Sequence, residues 1–442
     1  MSDIQPGRVG GELSFAGDKS LSHRAAIFAA LAKGRSSIEN FLTAQDTINT
    51  LKAMEAAGVQ IEGDISSGAF DVISPGLAAM QGKNLKIDVG NSGTGARLLM
   101  GLFSGIPDTT AVIDGDDSLR KRPMGRVSAP LASAGAIFDP ADKLPIEVRG
   151  KKLLPILFRE ELGSAQVKSA MMLAALASGV SLRLEEPIPS RDHTENMLGY
   201  AGVELLKEPH GSGFIIEMEP PYELQPQRWQ VWGDISSASF FVVLALLMKE
   251  GKLTIKNVLL NPYRDRYIKV LQEMGGKIQV IPGEKHCGEA GGDIIVEPSR
   301  LHGVEIKAAD IPAVIDELPI LTIAGLFAEG RFGYRNAAEL RVKESDRISA
   351  MVDNLKELGV DVEEYDDGLS LTGLSTGRFD SALRTPGYKV VSHMDHRIVM
   401  SFQIADLVSR ANGGAPIEID GKEWVATSFP DFYTKLGSVL SS

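Results

Sequence analysis

Residues 339–347 read ELRVKESDR and carry six charges of both signs in nine positions. The next residues, ISAMVDNLKELG, set Ile348, Met351, Val352, Leu355 and Leu358 at helical spacing and close on Gly359. The charges therefore stand at the entrance of an amphipathic helix. Arg341, Lys343 and Arg347 lie in or before its first turn, where the helix dipole favours acids. Cations at that end are accounted for if an anion joins them. A solvated cap is the competing reading, and spacing alone leaves both open. Glu344 sits between Lys343 and Arg347, a carboxylate among cations, as acid–base work requires. Asp316, in AVIDELP, is a second candidate acid or base. Burial would raise its pKa, neighbouring cations would lower it, and helix capping is its alternative role.

Similar groups recur at other expected helix starts. GDKSLSHR carries Lys19, Ser20 and Arg24. GNSGTGAR carries Asn91, Gly93, Thr94 and Arg97, and RKRPMGR follows with Arg122. SAQVK carries Ser164, Ala165 and Gln166, with Ser190 and Arg191 further on. MDHR carries His396 and Arg397. Each residue alone reads as a cap or a surface charge; their recurrence at one place is what points to anion binding. GNSGTGAR is neither a P-loop nor a GxGxxG fingerprint, and a tight turn before a closely packed helix explains it equally well. His23, His193 and His396 are too scattered for a metal site, and none is expected.

The elements that must hold these residues form a repeat. SLSHRAAIFAALAKG is an Ala-rich helix pattern ending at Gly34, followed by the strand pattern SSIENF, the helix TINTLKAMEAAG and the strand VQIE. The same order returns six times, with a period of about 70 to 80 residues. The first helix of each repeat is apolar nearly all round and must be buried; the second is amphipathic and belongs outside. Three repeats per domain would give each domain three buried parallel helices. The expected domains are residues 18–232, and 1–17 joined to 233–442. If the helices of a domain point the same way, their starts share one face. Two such faces opposed across an inter-domain cleft would focus positive potential into an active site there.

Bulk properties narrow the function. A chain of 442 residues exceeds what one core usually supports. The net charge of −12 argues against general nucleic-acid or membrane-surface binding. The single cysteine, Cys287, excludes an internal disulfide and a multi-cysteine metal site. The first residues show no signal-peptide pattern, and no run of about 18 apolar residues could span a bilayer. A cytoplasmic protein is expected.

Taken together and in order, GDKS, GNSGTGAR, KRPMGR, SAQVKSA, RDHTE, IDELP, LRVKESDR and MDHR resemble the 5-enolpyruvylshikimate-3-phosphate synthase family over almost the whole chain. The resemblance implies an α/β fold of two domains, each of three βαβαββ units around buried parallel helices. It implies transfer of the enolpyruvyl group of phosphoenolpyruvate to the 5-hydroxyl of shikimate 3-phosphate with release of phosphate, a step toward chorismate and the aromatic amino acids. No metal or organic cofactor is implied, and the protein is expected to act as a monomer. By the same resemblance Lys19, Asp316 and Glu344 are catalytic. Lys19, Ser20, Arg24, Ser164, Ala165, Gln166, Arg191, Asp316 and Lys343 hold shikimate 3-phosphate; Lys19, Gly93, Arg122, Gln166, Arg347 and Arg397 hold phosphoenolpyruvate. GDK, RDHTE and SAQVK are similar to the branch associated with glyphosate tolerance, and glyphosate is a possible inhibitor. Four positions depart from common patterns of the family: Thr427 where many members have lysine, Glu339 where some have asparagine, Tyr263 in NPYR, and Gly93 where tolerance is linked to alanine. The alternative is a UDP-N-acetylglucosamine enolpyruvyl transferase, which shares fold and donor but usually carries a cysteine in the loop that here reads GDDSLRKRPMG.

Overall fold

The computed structural model describes residues 7–374 and 387–440. Residues 1–6, 375–386 and 441–442, all within the second expected domain, lie outside the described residues. The chain forms two compact units. One comprises Ala16–Trp232 with the short segment Lys285–Glu289; the other comprises Met1–Phe15, Gly233–Glu284 and Ala290–Ser442. They are called here the 16–232 and 233–442 domains.

The second repeat shows the building plan. Its strand Asn84–Asp88 pairs in parallel with Thr110–Asp114, which pairs antiparallel with Ile146–Arg149, and that with Ile137–Asp139. Two helices fill the connections, α3 (Gly93–Ser104) and α4 (Gly125–Ser133), giving the order βαβαββ. The third repeat copies it around α5 (Ala165–Ser178) and α6 (His193–Tyr200). The first repeat, with α1 (Lys19–Leu31) and α2 (Gln45–Ala56), has no leading strand of its own. Arg228–Gln230, from the far end of the domain, pairs in parallel with Gly34–Glu39 and fills that place. The fourth repeat, with α7 (Ile235–Leu247) and α8 (Arg266–Glu273), takes Arg8–Ser14 as its leading strand, parallel to Glu250–Leu259. The fifth contains α9 (Ile311–Val314), α10 (Leu318–Leu326) and α11 (Arg347–Glu357), with a four-stranded sheet. The sixth, around α12 (His396–Ala411), differs: among the described residues its sheet has two strands, Lys389–Val390 and Glu418–Ile419.

Burial follows composition. All nine residues of α10 are buried, and α1 is buried from Leu21 to Leu31. The second helices turn one face inward: α8 buries only Tyr267, Ile268, Val270 and Leu271. The glycines expected to end helices do so in two ways. Gly179 caps α5 in the left-handed region, at φ 60°, where glycine carries no Cβ penalty. Gly34 lies past the end of α1 and opens the next strand instead.

Helices α3 and α5 run side by side in the same direction. Gln166 Nε2 donates to Thr94 Oγ1 at their first turns (2.9 Å), and Gly105 faces Ala174 further along. Their approach depends on Gly101, where a Cβ would lie 2.4 Å from the carbonyl oxygen and 2.6 Å from the Cα of Ala170. A backbone neighbour cannot rotate away, so Gly101→Ala should separate the helices. Overpacking of this kind costs about 1–3 kcal/mol, more than the roughly 1 kcal/mol of helix propensity that alanine adds. Gly199, in α6, has nothing within 4 Å of an added Cβ. Urea denaturation should therefore show Gly101→Ala less stable and Gly199→Ala slightly more stable than wild type. Equal shifts of the same sign would remove the close-approach argument.

Candidate active site

The starts of α1, α3 and α5 meet in the 16–232 domain, and each is capped by its own side chain. Asp18 accepts from Leu21 N–H, Ser92 from Gly95 N–H and Ser164 from Val167 N–H. Lys19 Nζ lies 2.6 Å from Asp46 Oδ2, with a quarter of its side chain exposed (25%). Arg24 is buried and fully committed: Nε donates to Thr194 Oγ1 (2.8 Å), Nη2 to Ser169 Oγ (2.7 Å) and Nη1 to the Ser20 carbonyl (2.9 Å). Gln166 is held between Thr94 Oγ1 and Arg97 Nη1, the latter donating at 2.8 Å. Arg122 Nη2 donates to Asn91 Oδ1 (2.7 Å) beside Gly93. Expected residues from all three repeats of this domain thus form polar clusters around the helix starts, with Arg24 bonded to the third repeat and Gln166 to the second. Arg191 leads into α6 from a separate loop.

The 233–442 domain gathers Asp316, Lys343, Glu344, Arg347 and Arg397. Arg347 is the centre, with 1% of its side chain exposed. Its Nε donates to Asp395 Oδ2 (2.8 Å), its Nη2 pairs with Glu344 Oε2 (2.5 Å), and its Nη1 lies 3.7 Å from Asp316 Oδ1. Lys343 Nζ stands between Asp316 Oδ1 (3.7 Å) and Glu339 Oε1 (3.6 Å). Arg397 donates to the Asp316 carbonyl (2.5 Å) and to Ser236 Oγ (2.8 Å), and Ser236 in turn donates to Glu317. Burial opposes the charge on Arg347, but Asp395 and Glu344 outweigh it and hold its proton more tightly than usual. Burial likewise opposes ionisation of Asp395, and Arg347 outweighs it, so that carboxyl stays below the usual carboxylate range.

Some functions differ from the reading of single residues. Asp316 is not a helix cap: Glu317 occupies the cap position of α10, without a capping bond. Arg341 turns away to Asp346, Glu364 and the Asp366 and Tyr365 carbonyls, and braces the structure. The buried partners Asp46, Asp395, Glu317 and Ser236 were missed. Asp46 looks like an acid favoured by the dipole of α2, and Asp395 stands inside MDHR beside two residues that drew the attention. Nothing local marks either as the holder of a distant cation.

A family model described as EPSP synthase (3-phosphoshikimate 1-carboxyvinyltransferase) matches residues 4–436. The chain belongs to the EPSP synthase family. Similar curated proteins include the 3-phosphoshikimate 1-carboxyvinyltransferase of Leptospira interrogans, 44% identical over 97% of each chain. That of Parvibaculum lavamentivorans is 43% identical over 96% of this chain and 93% of its own. Among solved structures, EPSP synthase of Acinetobacter baumannii superposes with a TM-score of 0.82 at 35% identity, covering 99% of this chain and 97% of the other. The enolpyruvyl transferase NikO of Streptomyces tendae shares the fold, with a TM-score of 0.70 at 16% identity over 98% of this chain and 95% of its own.

Two of the departures from common EPSP synthase patterns have definite surroundings. Thr427 donates its hydroxyl to the Trp424 carbonyl (2.7 Å) and supplies no cation. Glu339 pairs with Lys343, adding a negative charge beside it.

Beneath Lys19, His23 is fully buried between Thr50 Oγ1 (2.7 Å from Nδ1) and Ser92 Oγ (3.4 Å from Nε2). Burial, then the charges of Lys19 and Arg24, lower its pKa from 6.5 to about 3. Between those values the unfolded chain binds one proton more than the folded one. Its contribution to stability is therefore complete above pH 6.5 and is lost as pH falls toward 3. The slope is about 1.4 kcal/mol per pH unit. His23→Asn should flatten the stability–pH curve between pH 6.5 and 4 by that slope, whatever constant packing cost it adds. Parallel curves for the two proteins in denaturant titrations would show that His23 titrates normally.

Proposed function

We propose that this protein transfers the enolpyruvyl group of phosphoenolpyruvate to the 5-hydroxyl of shikimate 3-phosphate and releases inorganic phosphate. The observation that carries the reading is the pair of carboxylates, Asp316 and Glu344, held by one buried guanidinium, Arg347, with Lys343 beside them. Anion binding alone does not require two carboxylates there; proton transfer does. The family and the named relatives support the same activity. The nucleotide-sugar alternative lacks that support, and the one cysteine, Cys287, is buried in the segment Lys285–Glu289.

In this reading Ser20, Arg24, Ser164, Ala165, Gln166 and Arg191 bind the acceptor, and Asp316 and Lys343 are assigned to it as well. Lys19, Gly93, Arg122, Gln166, Arg347 and Arg397 take the donor. Asp316 accepts the proton of the 5-hydroxyl as its oxygen bonds to C2 of the donor. Glu344 delivers a proton to the methylene C3, which becomes a methyl group. The resulting tetrahedral ketal phosphate then loses a methyl proton to Glu344 while the C2–O bond to phosphate breaks. The proton held by Asp316 passes to the departing phosphate, so the enolpyruvyl ether and inorganic phosphate result and both carboxyl groups return to their starting states. Lys19 contacts both substrates and compensates the charge at the bridging oxygen. The reaction belongs to the route to chorismate, and we assign it to the cytoplasm; no helix among the described residues is long and apolar enough to cross a membrane.

Phosphate release with both substrates tests the assignment. Asp316→Asn and Glu344→Gln should each lower turnover by about two to four orders of magnitude. Shikimate 3-phosphate affinity should fall more for Asp316→Asn, since that residue also binds the acceptor. Near-normal turnover in either variant would remove that residue from the mechanism.

The same reading makes glyphosate a competitor for the donor's place. A Cβ on Gly93 would lie 3.0 Å from Arg97 Nη1 and 3.3 Å from Arg122 Nη1, so both guanidinium groups must give by a few tenths of an ångström. Glyphosate is slightly longer than the donor and tolerates that less. Gly93→Ala should therefore weaken glyphosate more than phosphoenolpyruvate in paired titrations. Equal weakening of both would mean general distortion.

A further inference from the structure

Lys168, one turn into α5, has no exposed side-chain surface, and the reaction above assigns it nothing. Its ammonium lies 3.0 Å from both carboxylate oxygens of Glu186 and 2.8 Å from Glu195 Oε1. Glu186 is as fully enclosed as Lys168, and Glu195 is nearly so. Burial alone would discharge the lysine; Glu195 and Glu186 outweigh it and keep its pKa above the ordinary value. A buried cluster of this kind is no more stabilising than an apolar filling of the same volume, so its value has to be sought in what it holds still.

What it holds is Ser190. The Ser190 N–H donates to Glu186 Oε1 (3.0 Å), its hydroxyl donates to the same oxygen, and its carbonyl faces Lys168 Nζ at 3.5 Å. Every polar group of that residue is thus engaged by the Lys168–Glu186 pair. Ser190 belongs to the connection between the strand Leu182–Glu186 and α6, which has no helix or strand of its own. Arg191 is the next residue. The other carboxylate, Glu195, stands in the first turn of α6 beside Thr194, whose hydroxyl takes Arg24 Nε and meets Ser169 Oγ at 2.6 Å. That turn has a second anchor, Glu289 at 2.7 Å from His193 Nδ1, whereas Ser190 is held at its N–H, hydroxyl and carbonyl by the Lys168–Glu186 pair.

We infer that the Lys168–Glu186 pair is a positioning device that fixes Ser190, and with it Arg191, for binding of the anionic acceptor. The inference rests on the proposed function. Neither Lys168 nor Glu186 touches a substrate; they act through Arg191. The bonds of the pair run to Ser190 and Glu195, on the way to the acceptor's Arg191. Loosening it should therefore affect one substrate and not the other, which a purely structural role would not do.

Glu186→Gln is the primary test. Its amide can still accept one bond from Ser190, and Lys168 keeps Glu195, so no charge is left unpaired. KM for shikimate 3-phosphate should rise about tenfold, within the range of a lost hydrogen bond to a charged group. KM for phosphoenolpyruvate and kcat should stay within about twofold, the signature of lost ground-state binding. Calorimetric titration with shikimate 3-phosphate should give the same shift in Kd. Lys168→Met leaves two buried carboxylates without a cation and should show the same split, with a lower Tm. If it does not fold, Glu186→Gln decides alone. An unmoved acceptor KM in folded Glu186→Gln, or an equal rise in both KM values, overturns the inference while wild-type turnover is normal. A wild type that releases no phosphate from the two substrates overturns the functional reading instead, and this inference with it.

Discussion

A helix with apolar side chains on every side must be buried, yet its first turn carries N–H groups that no residue of the helix can satisfy. Much of this protein's chemistry follows from that conflict. The apolar helices α1, α3, α5 and α7, and α12 with them, start on Asp18, Ser92, Ser164, Asp234 and Asp395, each accepting from the first turn. Helices packed side by side in one direction bring those starts together, as Thr94 and Gln166 show for α3 and α5. Polar side chains then accumulate at one end of an otherwise apolar core. Free N–H groups and the positive ends of the dipoles make that end receptive to anions.

The two domains use the constraint differently. In the 16–232 domain two of the three caps are serines; Lys19 pairs with Asp46, while Arg24 donates to Thr194, Ser169 and the Ser20 carbonyl and Arg122 to Asn91, all neutral oxygens. Neutral partners leave positive potential available, which suits the acceptor binding proposed for these residues. In the 233–442 domain the caps Asp234 and Asp395 are carboxylates, and the cations are heavily countered. Arg347 meets Asp395, Glu344 and Asp316, and Lys343 meets Asp316 and Glu339. Carboxylates set beside cations are the arrangement that acid–base work requires.

Much of this was legible in the sequence, because it is periodic or local. Six returns of one apolar helix, each followed by a strand and an amphipathic helix, announce buried helices with sheets around them. The clusters at their starts announce where polarity collects. What the sequence hides is pairing at a distance. That Arg8–Ser14 completes a sheet with Glu250–Leu259, and Arg228–Gln230 one with Gly34–Glu39, is invisible to a period count, since a strand of three or seven residues carries no address. Nothing in SAQVKSA marks which groups Lys168 meets. Only the fold shows that residues 18 and 27 positions later bring it two carboxylates. His23 likewise looks like one more polar residue near a cap until burial is known.

The arrangement around Arg347 carries one further consequence for the proposed reaction. An anionic donor that binds this guanidinium joins a group that three carboxylates already face and that is almost wholly enclosed. Asp395 is the most firmly fixed: it accepts from Nε and Nη2 together and from Ser345, and it caps α12 through the Arg397 N–H. Asp316 stands at 3.7 Å and is held through its backbone by Arg397. Glu344 precedes α11, and 21% of its side chain is exposed, more than either of the others. In the proposed reaction the donor and the carboxyl that serves its C3 are thus assigned to one guanidinium, so the group that binds the one also places the other.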